Sequence, residues 1–389
     1  MNEKLVIDAP SSVVTNNEEA PETLLRADVV RPSELGPTER ELWLRLQSRS
    51  PALQRAFLTP TFAIACERAY ERAFVAVLHD RGAIRGFFPF QFRTAWHQRL
   101  RLAERIGGDM SDAAGVIALD TQISAPLLLR LAGVSSLHMT HLVAGQGQLG
   151  LRADWSRLGY ITELREGPDA YFDALFSRDR ILVRDTERRR RKAESSLGAL
   201  RFARLDRIPR DMIRELIEQK RQQYHRTAMP DVFATHANIR LIEVMNDMPA
   251  PDCRLVMSRL EAGGRILAQH IGPQYHDVLS HWFPVYDPQA RNLSPGRLLL
   301  WEMIRDSAEA GICLIDFGEG DTLYKREFAT GSTLYGRADW SLGDARAVVA
   351  RVYQGLAWRL TAVGVACRSR TERVLNQVSR GGGEHNHAS

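Results

Sequence analysis

The sequence predicts an α+β protein made of two lobes. Its 389 residues exceed the length of one ordinary domain, and strand-like and helix-like segments are mixed in the N-terminal half. In the C-terminal half, helices precede three β-rich runs separated by tight turns, and a helix and a buried strand follow them. Each half is long enough to bury a core of its own.

The composition narrows the class of protein. With 44% hydrophobic and 25% charged residues, the chain has the composition of a soluble globular protein, and no apolar run reaches the roughly 20 residues that span a bilayer. The N-terminus has no long apolar region, so we expect no secretory signal. The four cysteines are scattered and lack C-x-x-C spacing, which predicts reduced thiols in a cytoplasmic protein and no metal site. The net charge of +5 permits an anionic substrate or cofactor but does not require nucleic acid.

The N-terminal lobe is predicted at residues 23–165, after a disordered tail at residues 1–22. Strands are expected at 24–30, 74–79, 83–92, 138–143 and near 119, and helices at 38–47, 61–72 and 121–131. Thr38 is placed to cap the first helix, with Glu41 three residues later as in a capping box. Residues 144–150 contain G-x-G-x-x-G, but no helical pattern follows, which favours a flexible loop or linker over a nucleotide site.

The C-terminal lobe is predicted at residues 166–370, before a second disordered tail at 371–389. Helices are expected at 169–177, 180–197, 211–225, 295–310 and 345–363, and strands at 253–260, 266–275, 278–286, 312–317 and 334–341. Because the turns between the first three strands are short, these strands should form an antiparallel meander.

The segment at residues 293–325 is the expected centre of the molecule. Ser294 suits the N-cap of a helix, Pro295 its first position and Gly311 the residue after its end. The free amide groups and the dipole of such a helix start favour an anion. We therefore predict that the start of this helix binds the phosphate groups of a cofactor.

Three acidic residues, Asp316, Glu319 and Asp321, follow this helix within a short turn. Crowded carboxylates raise one another's pKa values, which suits a general base. Two structural alternatives remain open: a buried ion pair between Asp316 and Lys325, and surface positions for Glu319 and Asp321.

At these residues the sequence resembles a known family. The runs S-P-G-R-L-L-L and G-I-C-L-I-D-F-G-E-G-D-T-L-Y-K-R-E-F, with F-F-P-F-Q, M-S-D-A-A-G-V-I and the arginine-rich run at 184–192, resemble the CelD/BcsL-type acetyltransferases of the GNAT superfamily. The resemblance extends over most of the chain, from residue 50 to residue 340. Because that family is related to FemAB-type transferases with two GNAT-like lobes in tandem, it implies tandem GNAT-like lobes here, with a degenerate N-terminal lobe.

The resemblance also implies an activity and a set of residues. It implies a GNAT-type acyltransferase that uses acetyl-CoA, needs no metal and acts on a sugar or a cell-envelope or exopolysaccharide precursor. The superfamily's phosphate loop, (Q/R)-x-x-G-x-(G/A), places Arg291, Gly296 and Arg297 in cofactor binding, with Ser294 in the same loop. By the same resemblance Tyr324 donates a proton to the leaving thiolate, unless it is a packed core tyrosine. From its position beside the acidic turn, Lys325 is predicted to neutralise the carboxylates or to contact an acyl or phosphate oxygen.

Arg184, Arg188 and Arg191 are predicted to attract an anionic acceptor or a CoA phosphate, although a solvated helix face is an equally simple interpretation. His281 shares a strand face with Phe283 and is predicted to face the cleft, unless it is a packed core histidine. Two other functions remain open: a FemAB-like transferase that uses aminoacyl-tRNA, which would bind tRNA through residues 184–192, and an inactive GNAT scaffold. No DNA partner is expected.

Overall fold

The computed structural model describes residues 25–343. The two predicted tails and the predicted helix at 345–363 lie outside these residues. Across the described part of the chain, no helix is long and apolar enough to cross a membrane.

The N-terminal half mixes helices with strands, as predicted. In chain order its elements are β1 (Arg26–Val30), α1 (Pro37–Ser48), α2 (Pro60–Tyr70), β2 (Ala73–Asp80), β3 (Ala83–Gln91), α3 (Ala95–Arg99), β4 (Leu102–Arg105), β5 (Ile117–Ala118), α4 (Ala125–Leu131), β6 (Ser136–Leu142) and β7 (Trp155–Glu163). The hairpin of β2 and β3 is confirmed. The capping role of Thr38 is wrong, because α1 begins at Pro37 and Gly36 is its N-cap.

The C-terminal half contains the predicted meander, helix and strand. Its elements are α5 (Gly167–Arg178), α6 (Arg180–Leu197), β8 (Arg201–Leu205), α7 (Arg210–Thr227), α8 (His236–Asp247), β9 (Arg254–Ala262), β10 (Arg265–Tyr275), β11 (Val278–Ser280), β12 (Phe283–Tyr286), α9 (Pro295–Glu309), β13 (Leu314–Glu319), α10 (Leu323–Phe328) and β14 (Gly331–Ser341). Six elements were not predicted: α3, β4, β7, β8, α8 and α10. The third strand of the meander is divided at His281 and Trp282 into β11 and β12.

The strands of both halves form one continuous sheet. Its order is β1-β2-β3-β4-β6-β14-β7-β13-β11-β10-β9-β8, with β12 beside β10 and β5 beside β3. The last strand, β14, pairs antiparallel with β6 and β7, while β7 also pairs antiparallel with β13. The two halves therefore interleave at the centre of the sheet, and the lobe boundary at residues 165 and 166 stays a prediction.

Two parallel strands of the C-terminal half, β11 and β13, pair over three residues, and the chains then diverge. β11 runs parallel to β13, with Ser280 opposite Asp316 at the last paired position. The His281 N–H donates to the Asp316 carbonyl at 2.8 Å, and in the described sheet β12 then pairs with β10 alone. Because β13 stays paired with β7 on its other side, β12 and β13 diverge beyond this point, and we call the region between these two strands the cleft.

The halves also share a hydrophobic core. Trp43 and Phe57 from the N-terminal half belong to the same buried cluster as Phe233, Trp282 and Phe283 from the C-terminal half. The rings of Phe57 and Trp282 lie 5.5 Å apart in an edge-to-face arrangement. Since truncating a buried aromatic residue costs about 3–5 kcal/mol, these contacts fix one half against the other beside the cleft.

Candidate active site

His281 lies at the point where β11 and β12 separate. Its buried ring stacks on His270 with centroids 4.8 Å apart, and it also contacts the rings of Phe317 at 5.4 Å and Tyr324 at 5.9 Å. Burial, helped by nearby cations, lowers the pKa of His281 well below its usual value. His281 is therefore a neutral ring between β10, β13 and α10, and its substrate contact stays a prediction.

The break between β11 and β12 is held by two further residues. His270 is fully buried, and its Nε2 accepts a hydrogen bond from the Trp282 N–H at 3.2 Å. Gly272 allows the close approach of the two strands, because a Cβ at this position would overlap the Ser280 carbonyl oxygen. A glycine inside a strand pattern was the available sequence signal for this feature.

The proposed ion pair between Asp316 and Lys325 is wrong, because Asp316 pairs with a different residue. Its carboxylate is 4% exposed and forms a salt bridge with Arg55, while it accepts hydrogen bonds from the Tyr335 hydroxyl at 2.7 Å and the Gly318 N–H at 2.8 Å. Arg55 lies in the N-terminal half, so no local spacing could have identified this pair. These partners favour a structural role for Asp316.

The other two acids of the turn differ from each other. Glu319 is not a surface residue: its side chain is 5% exposed and is held by Arg337 at 2.6 Å and Arg157 at 3.3 Å. Asp321 is 56% exposed, as the surface interpretation proposed, and contacts the Tyr160 hydroxyl and Arg326. Both carboxylates are thus engaged by neighbouring donors.

Lys325 lies beneath the acidic turn. Its buried Nζ donates to the Glu319 carbonyl at 2.8 Å. Burial lowers the pKa of Lys325, whereas the nearby carboxylates of Asp112, Asp316 and Glu319 oppose this decrease. The Lys325 amine is therefore held at the end of β13, beside the opening of the cleft, close to three carboxylates that favour its ammonium form.

Asp112 is the site residue that our sequence analysis missed. Its half-buried carboxylate makes no hydrogen bond or salt bridge within residues 25–343, and a Cβ at Gly318 would lie 3.4 Å from its Oδ2. Burial raises the pKa of Asp112 to about 6, although Arg105 and Lys325 oppose the increase. The segment M-S-D-A-A-G-V-I contributed to the family resemblance, but nothing local to it shows that Asp112 meets the end of β13.

Tyr324 completes this group at the start of α10. Its ring lies 6.4 Å from Phe317, and burial raises its pKa to about 12. Tyr324 is therefore protonated at neutral pH and able to donate. Across the cleft, burial also raises the pKa of Tyr224 on α7 to about 12.

The predicted phosphate loop lies at the other end of the cleft. Pro295 is the first residue of α9, as predicted, but the Ser294 side chain does not cap the helix, because its backbone adopts a left-handed conformation with φ 52°. The Ser294 carbonyl instead accepts from the amides of Arg297 at 3.0 Å and Leu298 at 3.2 Å. Pro295 has no N–H, and the N–H groups of Arg297 and Leu298 are used in these two hydrogen bonds. The N–H of Gly296 is therefore the first donor of α9 that these bonds leave available.

The side chains of this loop are less available than the sequence implied. Arg297 donates to Asp185 at 2.9 Å and to Glu327 at 3.5 Å, so its charge is already neutralised. Arg291 is exposed on the turn before α9. Gly296 has open space on its side-chain face, where a Cβ would meet only Tyr286 at 3.9 Å.

The arginine-rich helix α6 lies beside the same loop, because Arg189 donates to the Asn292 carbonyl at 3.2 Å. Arg184, Arg188 and Arg191 are exposed on its outer face, and Arg188 pairs with Asp185 of the same helix. This arrangement is that of a solvated helix face, and a role in substrate binding stays a prediction. Within the described range, no group of three or more His, Cys, Asp or Glu side chains could hold a metal ion.

Comparison with known families assigns a class to this part of the chain. Residues 182–326, which run from α6 to α10 and include the cleft, match the family described as an acetyltransferase (GNAT) domain. This region is a GNAT acyltransferase domain, a class that uses acyl-CoA as its acyl donor. A comparison with curated proteins found no match.

Solved structures extend the likeness to most of the chain. FemX has a TM-score of 0.52 at 12% identity, over 81% of this chain and 97% of that chain. A conserved protein of unknown function from Bacteroides thetaiotaomicron has a TM-score of 0.49 at 10% identity, over 79% and 98%. A tandem GNAT protein from the clavulanic acid biosynthesis pathway has a TM-score of 0.46 at 10% identity, over 82% and 100%. The likeness to FemX, together with the domain match, confirms the predicted α+β fold with tandem GNAT-like lobes.

Proposed function

We propose that this protein transfers an acyl group, with acetyl as the first candidate, from CoA to an amine or hydroxyl of a sugar or cell-envelope polysaccharide precursor. The observation that carries the proposal is the carboxylate of Asp112, which has no hydrogen-bond or salt-bridge partner among residues 25–343, beside the buried amine of Lys325 at the end of the β11–β13 pair. The GNAT domain supports the choice of donor. The sugar acceptor comes from the sequence resemblance to CelD/BcsL-type acetyltransferases.

We place the extended arm of the acyl donor in the cleft between β12 and β13. One edge of β12 pairs with β10. On its other edge the Pro284 carbonyl accepts a hydrogen bond from Lys220, and the remaining backbone groups of that edge are the ones we assign to the amides of such an arm. At the end of β12, the Gly296 N–H and the dipole of α9 favour the phosphates. Because Arg297 forms salt bridges with Asp185 and Glu327, the backbone N–H groups contribute more to this phosphate site than the arginine charge does.

The chemistry needs a base, a stabiliser of negative charge and an acid. Asp112, with a pKa of about 6, is ionised at neutral pH and accepts a proton better than an ordinary aspartate, so it deprotonates the attacking amine or hydroxyl. Lys325 stabilises the negative charge that develops on the acyl oxygen. Tyr324 is protonated and supplies the proton that the departing thiolate takes up.

A thermal-shift screen of the full chain with acetyl-CoA, free CoA and tRNA tests this proposal. We expect acetyl-CoA and CoA to raise the melting temperature by several degrees, since a ligand at 100 times its Kd stabilises the folded state by about 2.7 kcal/mol. The absence of a shift with either CoA species would overturn the proposed donor.

The relationship of CelD/BcsL-type acetyltransferases to FemAB-type transferases keeps an aminoacyl-tRNA-dependent transferase as a second candidate. The exposed charges of Arg184, Arg188 and Arg191 are the feature that favours it. This candidate predicts stabilisation by tRNA that is lost as salt rises, because phosphate contacts release counterions. Stabilisation by CoA without transfer to any acceptor in a sugar panel would instead favour an inactive scaffold.

A further inference from the structure

A buried lysine lies beside the cleft and has no part in the mechanism above. Lys220, on α7, is 8% exposed, and its Nζ donates to the Pro284 carbonyl at 3.0 Å. No carboxylate in the described part of the chain forms a salt bridge with it, and its nearest aromatic contact is the Tyr224 ring at 5.2 Å. Burial alone lowers its pKa to about 8, so a substantial fraction of its amine is neutral near that pH.

The β10–β12 ladder shows where this amine lies. The Asp287 N–H bonds to the Leu267 carbonyl at 2.9 Å, which makes this opposed pair a hydrogen-bonded one. Hydrogen-bonded pairs alternate along an antiparallel ladder, so Val285 and Gln269 form the next one, and the following pair, Pro284 and His270, is not hydrogen-bonded. The Pro284 carbonyl therefore points away from β10, to the edge of β12 that faces the cleft, and the Lys220 amine is held at that edge.

We infer that Lys220 is itself an acyl acceptor: the bound acyl-CoA modifies it when no other acceptor is present. This inference rests on the proposed function, because it needs the acyl donor in the β12–β13 cleft. The neutral Lys220 amine attacks the thioester carbonyl, a C–N bond forms, and the C–S bond breaks. CoA leaves as the thiolate, which takes up the proton that the nitrogen loses, and the product is an amide on Lys220.

The other lysine of the cleft is a poorer nucleophile. Lys325 has three carboxylates near it that favour its ammonium form, whereas among residues 25–343 no carboxylate does so for Lys220. Outside the cleft, Lys192 is exposed on α6. The only remaining lysine of the sequence is Lys4. An exposed lysine reports the uncatalysed reaction with acyl-CoA, so Lys192 serves as an internal reference.

The test is to incubate the full chain with acetyl-CoA, without an acceptor, and to measure the acetylated fraction of each lysine by mass spectrometry. We expect Lys220 to be acetylated at least tenfold more than Lys192, although it is buried and Lys192 is exposed. Free CoA should compete and suppress acetylation of Lys220 without changing that of Lys192. In urea, where the cleft is lost, the two lysines should react equally. Acetylation of Lys220 at or below the level of Lys192 in the folded protein would overturn the inference.

Two variants and a binding measurement complete the test. Lys220→Arg keeps a cation but removes the nucleophile, so total incorporation should fall to the uncatalysed level, whereas Lys192→Arg, at an exposed position of α6, should leave the modification of Lys220 in place. Calorimetry of CoA binding to the wild-type chain separates the two proposals. CoA binding without Lys220 acetylation refutes this inference alone, and absence of CoA binding refutes the proposed function as well.

Discussion

Arg55 and Asp316 form a buried salt bridge that joins the two halves of the chain. Their side chains are 8% and 4% exposed, and the Tyr335 hydroxyl also donates to the same oxygen of Asp316. The pair lies directly beneath the loop that follows β13, so it fixes the end of that strand against the N-terminal half. Losing one partner leaves the other charge buried and unpaired, which typically costs about 3–5 kcal/mol.

Asp316→Asn is therefore expected to lower the free energy of unfolding by about 3–5 kcal/mol. The amide keeps the size of the side chain but removes the charge that Arg55 faces. Urea denaturation measures the effect. The matched double variant Arg55→Met with Asp316→Asn should lose less than the sum of the single variants, because neither charge is left alone. A stable Asp316→Asn protein with a large loss of kcat would instead make Asp316 catalytic.

Asp112→Asn should have the opposite effect. We expect kcat to fall by about 10²–10⁴-fold, which is the usual contribution of a positioned base, while the affinity for CoA stays unchanged. Stability should not fall, because the substitution removes a carboxylate that has no hydrogen-bond partner within the described residues and whose charge is disfavoured by burial. Steady-state kinetics and calorimetry on one preparation check both expectations. A normal kcat in this variant would remove Asp112 from the mechanism.

The pH dependence of the wild-type protein follows from the same group. The folded-state pKa of Asp112, about 6, lies above the unfolded value of 3.8. Its contribution to stability is therefore complete below pH 3.8 and is lost as pH rises through about 6, whereas kcat rises over the upper part of this range as the base ionises. Activity and unfolding measured from pH 4 to 8 should show these opposite trends, and Asp112→Asn should abolish both. A flat activity profile between pH 5 and 7 would contradict the assignment.

Gly296→Glu tests the phosphate site. Because the side-chain face of Gly296 is open, the substitution should not disturb folding, but its carboxylate would occupy the space in front of α9 and repel a phosphate. We expect CoA affinity to fall by about 100-fold or more, which corresponds to about 2.7 kcal/mol. Gly296→Ala is the matched control and should bind CoA within a few-fold of the wild type. Unchanged affinity in the Glu variant would place the phosphates elsewhere.

The sequence identified the parts of the fold whose signals are local. The hairpin of β2 and β3, the meander, and the helix and strand at 295–319 all follow from turn residues and periodicity close to each element. β7 was not predicted, because its sequence, W-S-R-L-G-Y-I-T-E, shows no clear alternation of apolar and polar residues. Its place between β13 and β14 depends on strands more than 150 positions away.

The candidate site could be predicted only in part, because several of its contacts join residues that are far apart in the sequence. Lys325 was correctly placed beside the acidic turn, since they are neighbours in sequence. The partner of Asp316 and the carboxylate of Asp112 come from the N-terminal half, and no spacing rule links residues across such distances. Ser294 was a reasonable cap by residue type, but its left-handed backbone turned the side chain away from that role.

His270 offers a test of how the shape of the cleft controls binding of the acyl donor. His270→Phe would keep a ring against His281 but would remove the acceptor for the Trp282 N–H, which is buried where β11 gives way to β12. An unsatisfied buried donor costs about 1–3 kcal/mol, so the melting temperature should fall, and CoA affinity should fall with it because the free edge of β12 shifts. His270→Gln retains an acceptor and should restore much of the affinity. If the Phe variant lost stability but bound CoA normally, His270 would support the core without shaping the cleft.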